Sequence, residues 1–466
     1  MERDRNISLS SSRRTLLKTI GAAGLGISTQ SGTVVAQQND RELWGFDSGD
    51  FFNTSPTIIN DTVYIADNSG TLFSLNANTG QEKWNFEAKD EIDSAPRVAD
   101  GRLFIGSGYG DRNLYALNAE TGDKQWQFTA DSAINSSPTI ADDLVIVGSQ
   151  DFNVYALDIK TGDKQWQFET GANVFSSPTF ADGSVFFSSY DNHAYALDAE
   201  TGEKLWKSNI GGRASSSPTI AYGTIFVGSL DNGLYALDAE TGEQQWRFST
   251  GGWIDSAPTV LDGTVFVGSE DGKLYAVDAQ EGTKEWSFYT KEQERSDGIE
   301  IPPISSSPTV VNNTVFVGTA GNYMYSISAS TGEVQWRFET GNYIVSSPTV
   351  VDGTVFFGSD RAYALDADVE GSSEGSRVRL GTLGHHHVLA NESEAGDQPP
   401  ADSPEVPSEL DGEITAEQYT AVLYGDDELS AGGISSAVNQ WATTGTVNGT
   451  EIGASDLSAL VNYWAA

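Results

Sequence analysis

Between residues 214 and 250 the chain reads ASSSPTI, AYG, TIFVGS, LDNG, LYALDA, ETGE and QQWRFST. Four short runs rich in β-branched, aromatic and aliphatic residues alternate with clusters of Gly, Asp, Asn and Thr. Such clusters tolerate positive φ or bond back to their own backbone, so the pattern predicts four strands joined by tight turns. The unit recurs. Trp44, Trp84, Trp126, Trp166, Trp206, Trp246, Trp286 and Trp336 are spaced by 40, 42, 40, 40, 40, 40 and 50 residues. Pro56, Pro96, Pro138, Pro178, Pro218, Pro258, Pro308 and Pro348 keep the same beat, each in a Ser/Ala-Pro-Thr-like step. A period of about 40 residues holding four strands is the signature of a β-propeller blade, whereas a solenoid of similar period would show helical spacing.

The phase of the repeat predicts how the ring closes. The eighth unit, residues 345–367, supplies VSSPTV, TVFFGS and AYALDA and stops before any Thr-Gly turn or Trp strand. Residues 42–46, ELWGF, are a Trp strand with no blade before them. Placing them as the outer strand of blade eight puts both ends of the ring in one sheet and protects its edges. The expected fold is all-β: an eight-bladed propeller of four-stranded blades over residues 37–367, followed by a small helical module.

The repeats resemble those of the quinoprotein-like (PQQ-repeat) propellers, whose docking motif Ala-x-Asp-x-x-Thr-Gly-x-x-x-Trp stands here as Ala156-Leu-Asp158-Ile-Lys-Thr161-Gly162-Asp-Lys-Gln-Trp166. It stands again from Ala196 to Trp206 and from Ala236 to Trp246. The resemblance implies that each tryptophan lies between neighbouring blades, a structural role in which its loss costs roughly 3–5 kcal/mol.

Before the propeller, Ser12-Arg13-Arg14-Thr15-Leu16-Leu17-Lys18, a Gly/Ala-rich stretch from Ile20 to Ile27 and Val34-Val35-Ala36 resemble a twin-arginine export signal over residues 1–36, cleaved after Ala36. Its apolar stretch is too short to span a bilayer, so no transmembrane span is expected in the mature chain. Twin-arginine export carries folded proteins, which suits a ring whose ends must meet, and an extracellular or cell-surface location follows. There is no cysteine, hence no disulfide framework and no lipidation site after the signal.

Charge adds a habitat to this picture. With 66 acidic against 26 basic residues the formal charge is −40. Such a chain repels itself in dilute buffer, while at molar salt screening falls to about 3 Å and the penalty fades. The composition resembles that of extreme halophiles and argues against nucleic acid or anionic membranes as partners.

Residues 368–408, rich in Ser, Gly, Glu, Asp and Pro, read as an acidic linker. It carries His385-His386-His387, a run with no other residue at ligand spacing nearby. Residues 409–466 show three short amphipathic helical patterns, and the last resembles a degenerate dockerin calcium loop. Asn448, Glu451 and Asp456 are its candidate ligands, although the loop lacks a leading Asp pair. Calcium is the one cofactor this module suggests.

Two function classes compete. A PQQ-dependent dehydrogenase is implied by the family, whose members hold quinone and calcium over the central channel, many against two adjacent cysteines. Here there is no cysteine and most repeats are minimal, so no catalytic residue and no PQQ are expected. His193, alone among histidines in the blades, reads as a turn residue. The non-catalytic propellers of the outer-membrane β-barrel assembly type are similar in blade number and short repeats. They imply a monomeric scaffold for an unidentified protein partner, bound through the propeller face and the C-terminal module.

If the Ser-Pro-Thr strand is innermost, the loop leading into it and the loop between second and third strands share one face. Both departures from the 40-residue period fall there: Tyr109-Gly110-Asp111, and Tyr289–Ile304 with Glu292 and Arg295. Asp111, Asp151, Asp191, Asp231 and Asp271 form a carboxylate ring on that face or serve as turn residues. Phe52, Ile92, Ile134, Phe175, Ile254 and Ile344, with Trp253 and Tyr343 alongside, form an apolar collar at the channel mouth or plug the channel.

Overall fold

The computed structural model describes residues 40–290, 293–295, 298–300 and 302–373, with 446–447 and 450–451. The chain divides into two units, Met1–Ala390 and Asn391–Ala466. The expected export signal, most of the linker and most of the C-terminal module lie outside the described residues. In the second unit Thr446–Val447 pairs antiparallel with Thr450–Glu451, which places Glu451 on a short hairpin. Asn448 and Asp456 lie outside the described residues.

Among its described residues the first unit holds eight four-stranded antiparallel sheets and one two-stranded hairpin, Gln293–Arg295 with Gly298–Glu300; seven of the four-stranded sheets run in simple up-and-down order, and the eighth takes its outer strand from the N-terminal end. Blade five runs Thr219–Ala221, Thr224–Gly228, Gly233–Asp238 and Gln244–Ser249. Its second and third strands are almost wholly buried, because blades cover both faces of their neighbours; hence their unbroken apolar runs. The fourth strand alternates exposed and half-buried positions at the rim. In six of the eight blades the turn between first and second strands takes positive φ at two residues, as at Asp182 and Gly183 (φ 49° and 73°), which matches the right-handed twist of a two-residue hairpin.

Ring closure is as the phase predicts. Glu42–Phe46 pairs antiparallel with Ala362–Asp366, with a bulge between Glu42 and Trp44 like the bulge in the other blades. Glu42 pairs with Arg361 at 3.0 Å.

The tryptophans sit between blades. The indole of Trp166 lies on the Thr201-Gly202 turn of the next blade and its Nε1 donates to the Ala199 carbonyl at 2.9 Å. Trp44, Trp126, Trp206, Trp246, Trp286 and Trp336 donate likewise to the residue 31–43 positions on. Around Trp84 the corresponding Ala119 carbonyl is taken by the Tyr64 hydroxyl at 2.8 Å. Blade eight has no Thr-Gly turn to cover Trp336, and the Arg41 guanidinium lies over that ring instead, 4.8 Å from its centroid.

Two sets of hydrogen bonds join the blades round the axis, the first interrupted where Ala95 and Ala257 replace serine. At the position before proline, serine hydroxyls accept from the backbone amide of the preceding blade, as Ser177 does from Ser137 at 2.9 Å and Ser55 from Ser347 at 2.9 Å. At the position after proline, threonine hydroxyls donate to the proline carbonyl of the next blade, as Thr179 does to Pro218 at 2.7 Å. The Ser-Pro-Thr step is therefore the ring's inner fastening.

Candidate functional site

The loops leading into the first strands and the loops between second and third strands do share a face, joined by backbone bonds such as Leu230 N–H to Arg213 O at 2.8 Å and Glu270 N–H to Trp253 O at 2.9 Å. A cavity of about 340 Å³ opens there on the axis. It is lined by the residue three places before each proline, among them Asp93, Asn135, Phe175, Ser215, Asp255 and Ser305, and by the serine directly before proline in five blades.

This corrects the expected collar. Phe52, Ile92, Ile134, Ile254 and Ile344 stand four places before proline, are at most 1% exposed and lie between blades. Ile134, Ile254 and Ile344 press on Gly106, Gly228 and Gly318, and Phe52 on Gly358, where a Cβ would come within 2.3–2.7 Å of their side chains. One step along an extended chain exchanges one face for the other, so the neighbouring position faces the channel. Phe175, three places before its proline, is the member of that set which lines the cavity.

Five places before proline the side chains point outward onto the face. Trp253, Tyr343 and Phe51 are 55%, 40% and 41% exposed, and with half-buried Pro303 they come from blades six, eight, one and seven, four consecutive blades. Phe51 and Tyr343 approach to 6.4 Å between ring centroids. The other half-ring carries Glu91, Asn173 and Arg213, with Ala133 buried, so the mouth is apolar on one side and polar on the other. The positional count from proline would have found Phe51 in the sequence.

The aspartates are tied into the structure. Each accepts from the tyrosine hydroxyl four residues on: Asp111 from Tyr115 at 2.7 Å, Asp151 from Tyr155 at 2.8 Å, Asp231 from Tyr235 at 2.6 Å, Asp271 from Tyr275 at 2.6 Å, and Asp191 from Tyr195. Four also hold the incoming connection by a backbone amide, such as Gly171 on Asp191 at 3.0 Å and Gly251 on Asp271 at 2.9 Å. His193 begins the third strand of blade four, its Nδ1 2.7 Å from the Asp191 carbonyl. Tyr109 is 58% exposed and reaches Gln150 of the next blade. Arg295 lies on the Gln293–Arg295 strand of the long insertion, and Glu292 lies outside the described residues.

The mouth is acidic. Asp93 and Asp255 belong to blades two and six, which oppose each other in an eight-membered ring. Burial raises the pKa of both, against hydrogen bonds from Asn135 and Ser215 that lower it. Burial also raises Glu270, with the nearby Asp255 charge adding to it. A raised folded-state pKa stabilises the fold most below the ordinary carboxylate range, and that contribution is lost as pH rises through the raised value. Asp255→Asn is therefore expected to melt higher than wild type at neutral pH. The difference should vanish in acid below the ordinary aspartate pKa, and an equal gain at both pH values would contradict the assignment.

The cavity lining has two carboxylates and no Lys, Arg or His. PQQ is a polycarboxylate and needs cationic partners, so this lining does not fit it. Among the described residues no group of three or more His, Cys, Asp or Glu is placed to hold a metal ion.

Comparison with known proteins places the repeats. The family model described as the β-propeller of the beta-alanine-activating enzyme matches residues 103–293, and that of outer membrane protein assembly factor BamB matches residues 293–372. BamB of Legionella pneumophila (strain Paris) is 37% identical over 60 residues, 13% of this chain and 16% of that protein. These are PQQ-like, BamB-type repeats. The crystal structure of BamB from Moraxella catarrhalis superposes with a TM-score of 0.58 at 21% identity, over 70% of this chain and 97% of that one. Quinohemoprotein alcohol dehydrogenase from Comamonas testosteroni gives 0.58 at 15% identity, over 70% and 76%. At such identities the propeller shares a fold with both a BamB and a dehydrogenase. Among its described residues no helix is long and apolar enough to cross a membrane.

Proposed function

We propose that this protein is a non-catalytic binding scaffold whose channel-mouth face takes a segment of another protein. The observation that carries the reading is the mouth itself: an aromatic arc of Trp253, Tyr343 and Phe51 beside an axial cavity holding Asp93 and Asp255. The complementary occupant is an extended basic segment with an apolar anchor. Lysine or arginine is drawn to the acidic axis and to the aromatic faces, and the anchor covers the arc. Tyr109 and the insertion with Glu292 and Arg295 extend this face, while Asp111, Asp151, Asp191, Asp231 and Asp271 hold it rigid.

The BamB-type repeats support a scaffold over an enzyme, as does a lining that does not fit PQQ. The arginine pair and small-residue site of the N-terminal segment support export by the twin-arginine route to the cell surface. The charge of −40 supports a saline habitat. Residues 409–466, with Asn448, Glu451 and Asp456, would act as a second, calcium-dependent docking module joined by the 368–408 linker, which sets the effective concentration of the two sites.

The test uses two synthetic peptides, one alternating lysine with leucine and one alternating glutamate with leucine, titrated into the full chain by fluorescence anisotropy. The lysine peptide is expected to bind and to weaken as salt is raised. Trp253→Ala should cost about 2 kcal/mol, close to thirtyfold in Kd. Equal binding of both peptides, or an unchanged Kd in Trp253→Ala, would overturn the reading. Dye reduction with PQQ and calcium would revive the dehydrogenase.

A further inference from the structure

Seven of the eight innermost strands begin with threonine, and the eighth, in blade two, begins with Arg97. The seven threonine hydroxyls donate from blade to blade, from Thr57 to the Pro96 carbonyl at 2.5 Å round to Thr349 and Pro56 at 2.9 Å. The belt breaks at Arg97. This side chain is 2% exposed, and its Nε and Nη1 find no hydrogen-bond acceptor among the described residues.

Arg102 stands close by. The blade-two hairpin pairs Arg97 with Phe104 and Ala99 with Arg102. Paired residues share a face and residues two apart share a face, so Arg97, Ala99, Arg102 and Phe104 project from one side of the sheet. Ala99 and Phe104 pack with Val145, Val147 and Leu157, so that side faces blade three. Arg97 and Arg102 are diagonal neighbours on it, within reach for long side chains. The Arg102 Nε is also buried without a partner, and its Nη1 makes one long contact, 3.4 Å to the Asp100 carbonyl. No ion pair among the described residues involves either arginine. No other blade carries arginine at both positions.

A guanidinium cannot shed its charge as a lysine can. Burial lowers the Arg97 pKa to about 9, which leaves it cationic at neutral pH. A buried cation without a counter-charge is strongly unfavourable, and a like charge on the same sheet face worsens it. An oxyanion is the group whose geometry matches two guanidinium forks.

We infer that Arg97 and Arg102 form a binding site for a small divalent oxyanion, phosphate or sulfate, between blades two and three. Arg102 directly follows the Asp100-Gly101 turn, and Arg97 begins the strand that leads into it.

Calorimetric titration and thermal melting of the full chain with phosphate, then sulfate, at ionic strength held constant with chloride, test the site. The wild type is expected to bind one oxyanion and to melt about 4 °C higher at a concentration about a hundredfold above Kd. Arg97→Thr restores the belt residue of the other blades, so it should fold, melt higher than wild type without oxyanion and show no response to it. Arg102→Thr, the residue of blades five to eight at that position, should also lose the response. No heat and no melting shift in the wild type, the same shift in Arg97→Thr, or a shift produced by chloride alone would each overturn the assignment. Phosphate and sulfate compared separately show which of the two the site prefers.

Discussion

Removal of residues 1–46 is expected to abolish cooperative folding of the propeller. Blade eight would keep Thr349–Val351, Thr354–Gly358 and Ala362–Asp366 and would present the last of these as an open edge. Trp44 would leave the Gly80 turn and the Ala77 carbonyl, and Phe46 would leave Phe52 and Phe73. Arg41 would uncover Trp336 and Glu42 would abandon Arg361. Trp44→Ala alone should cost about 3–5 kcal/mol, and the strand carries several contacts of that kind, against a total stability of about 5–15 kcal/mol. Circular dichroism melts and limited proteolysis provide the check. A peptide of residues 40–48 added in trans should restore part of the transition by completing the sheet. A truncated chain that melts like the full one would show that the ring closes without this strand.

That closure was legible because it needs only counting. Trp44 has no blade before it and Ala367 has no Trp strand after it, and a ring joins the two. The tryptophan and proline periods likewise fixed the blade number, since a buried indole between sheets and a fastening at the axis must recur once per blade. The channel was harder. The segment before each first strand is not itself a strand, so alternation cannot be counted along it. The apolar residues four places before proline suggest a collar at the mouth, yet they fill the space left by the second-strand glycines. The lining lies one residue away, among small polar residues such as Asn135 and Ser215 that carry no apolar signal. Arg97 was visible as the odd member of the Pro-Thr step, but its meaning depends on the belt that the threonines form. That belt appears only when eight blades stand side by side.

Two glycines of blade four separate the cost of a backbone angle from the cost of a contact. Gly183 and Gly202 have nearly equal φ, 73° and 71°, but a Cβ on Gly183 meets nothing within 4 Å, whereas one on Gly202 comes within 2.7 Å of Trp166 Cδ2. Gly183→Ala should therefore cost only the left-handed conformation, about 1–2 kcal/mol. Gly202→Ala pays that and also lifts the indole from its seat and from the Ala199 carbonyl, which should bring the loss near the roughly 3–5 kcal/mol of Trp166→Ala. Chemical denaturation of the single and double variants measures the difference. In a Trp166→Ala background the contact is already gone, so Gly202→Ala should fall to the cost of Gly183→Ala, a strongly non-additive cycle. Additive losses would mean that the turn glycine serves backbone geometry alone and that the tryptophans hold the blades without seating on it.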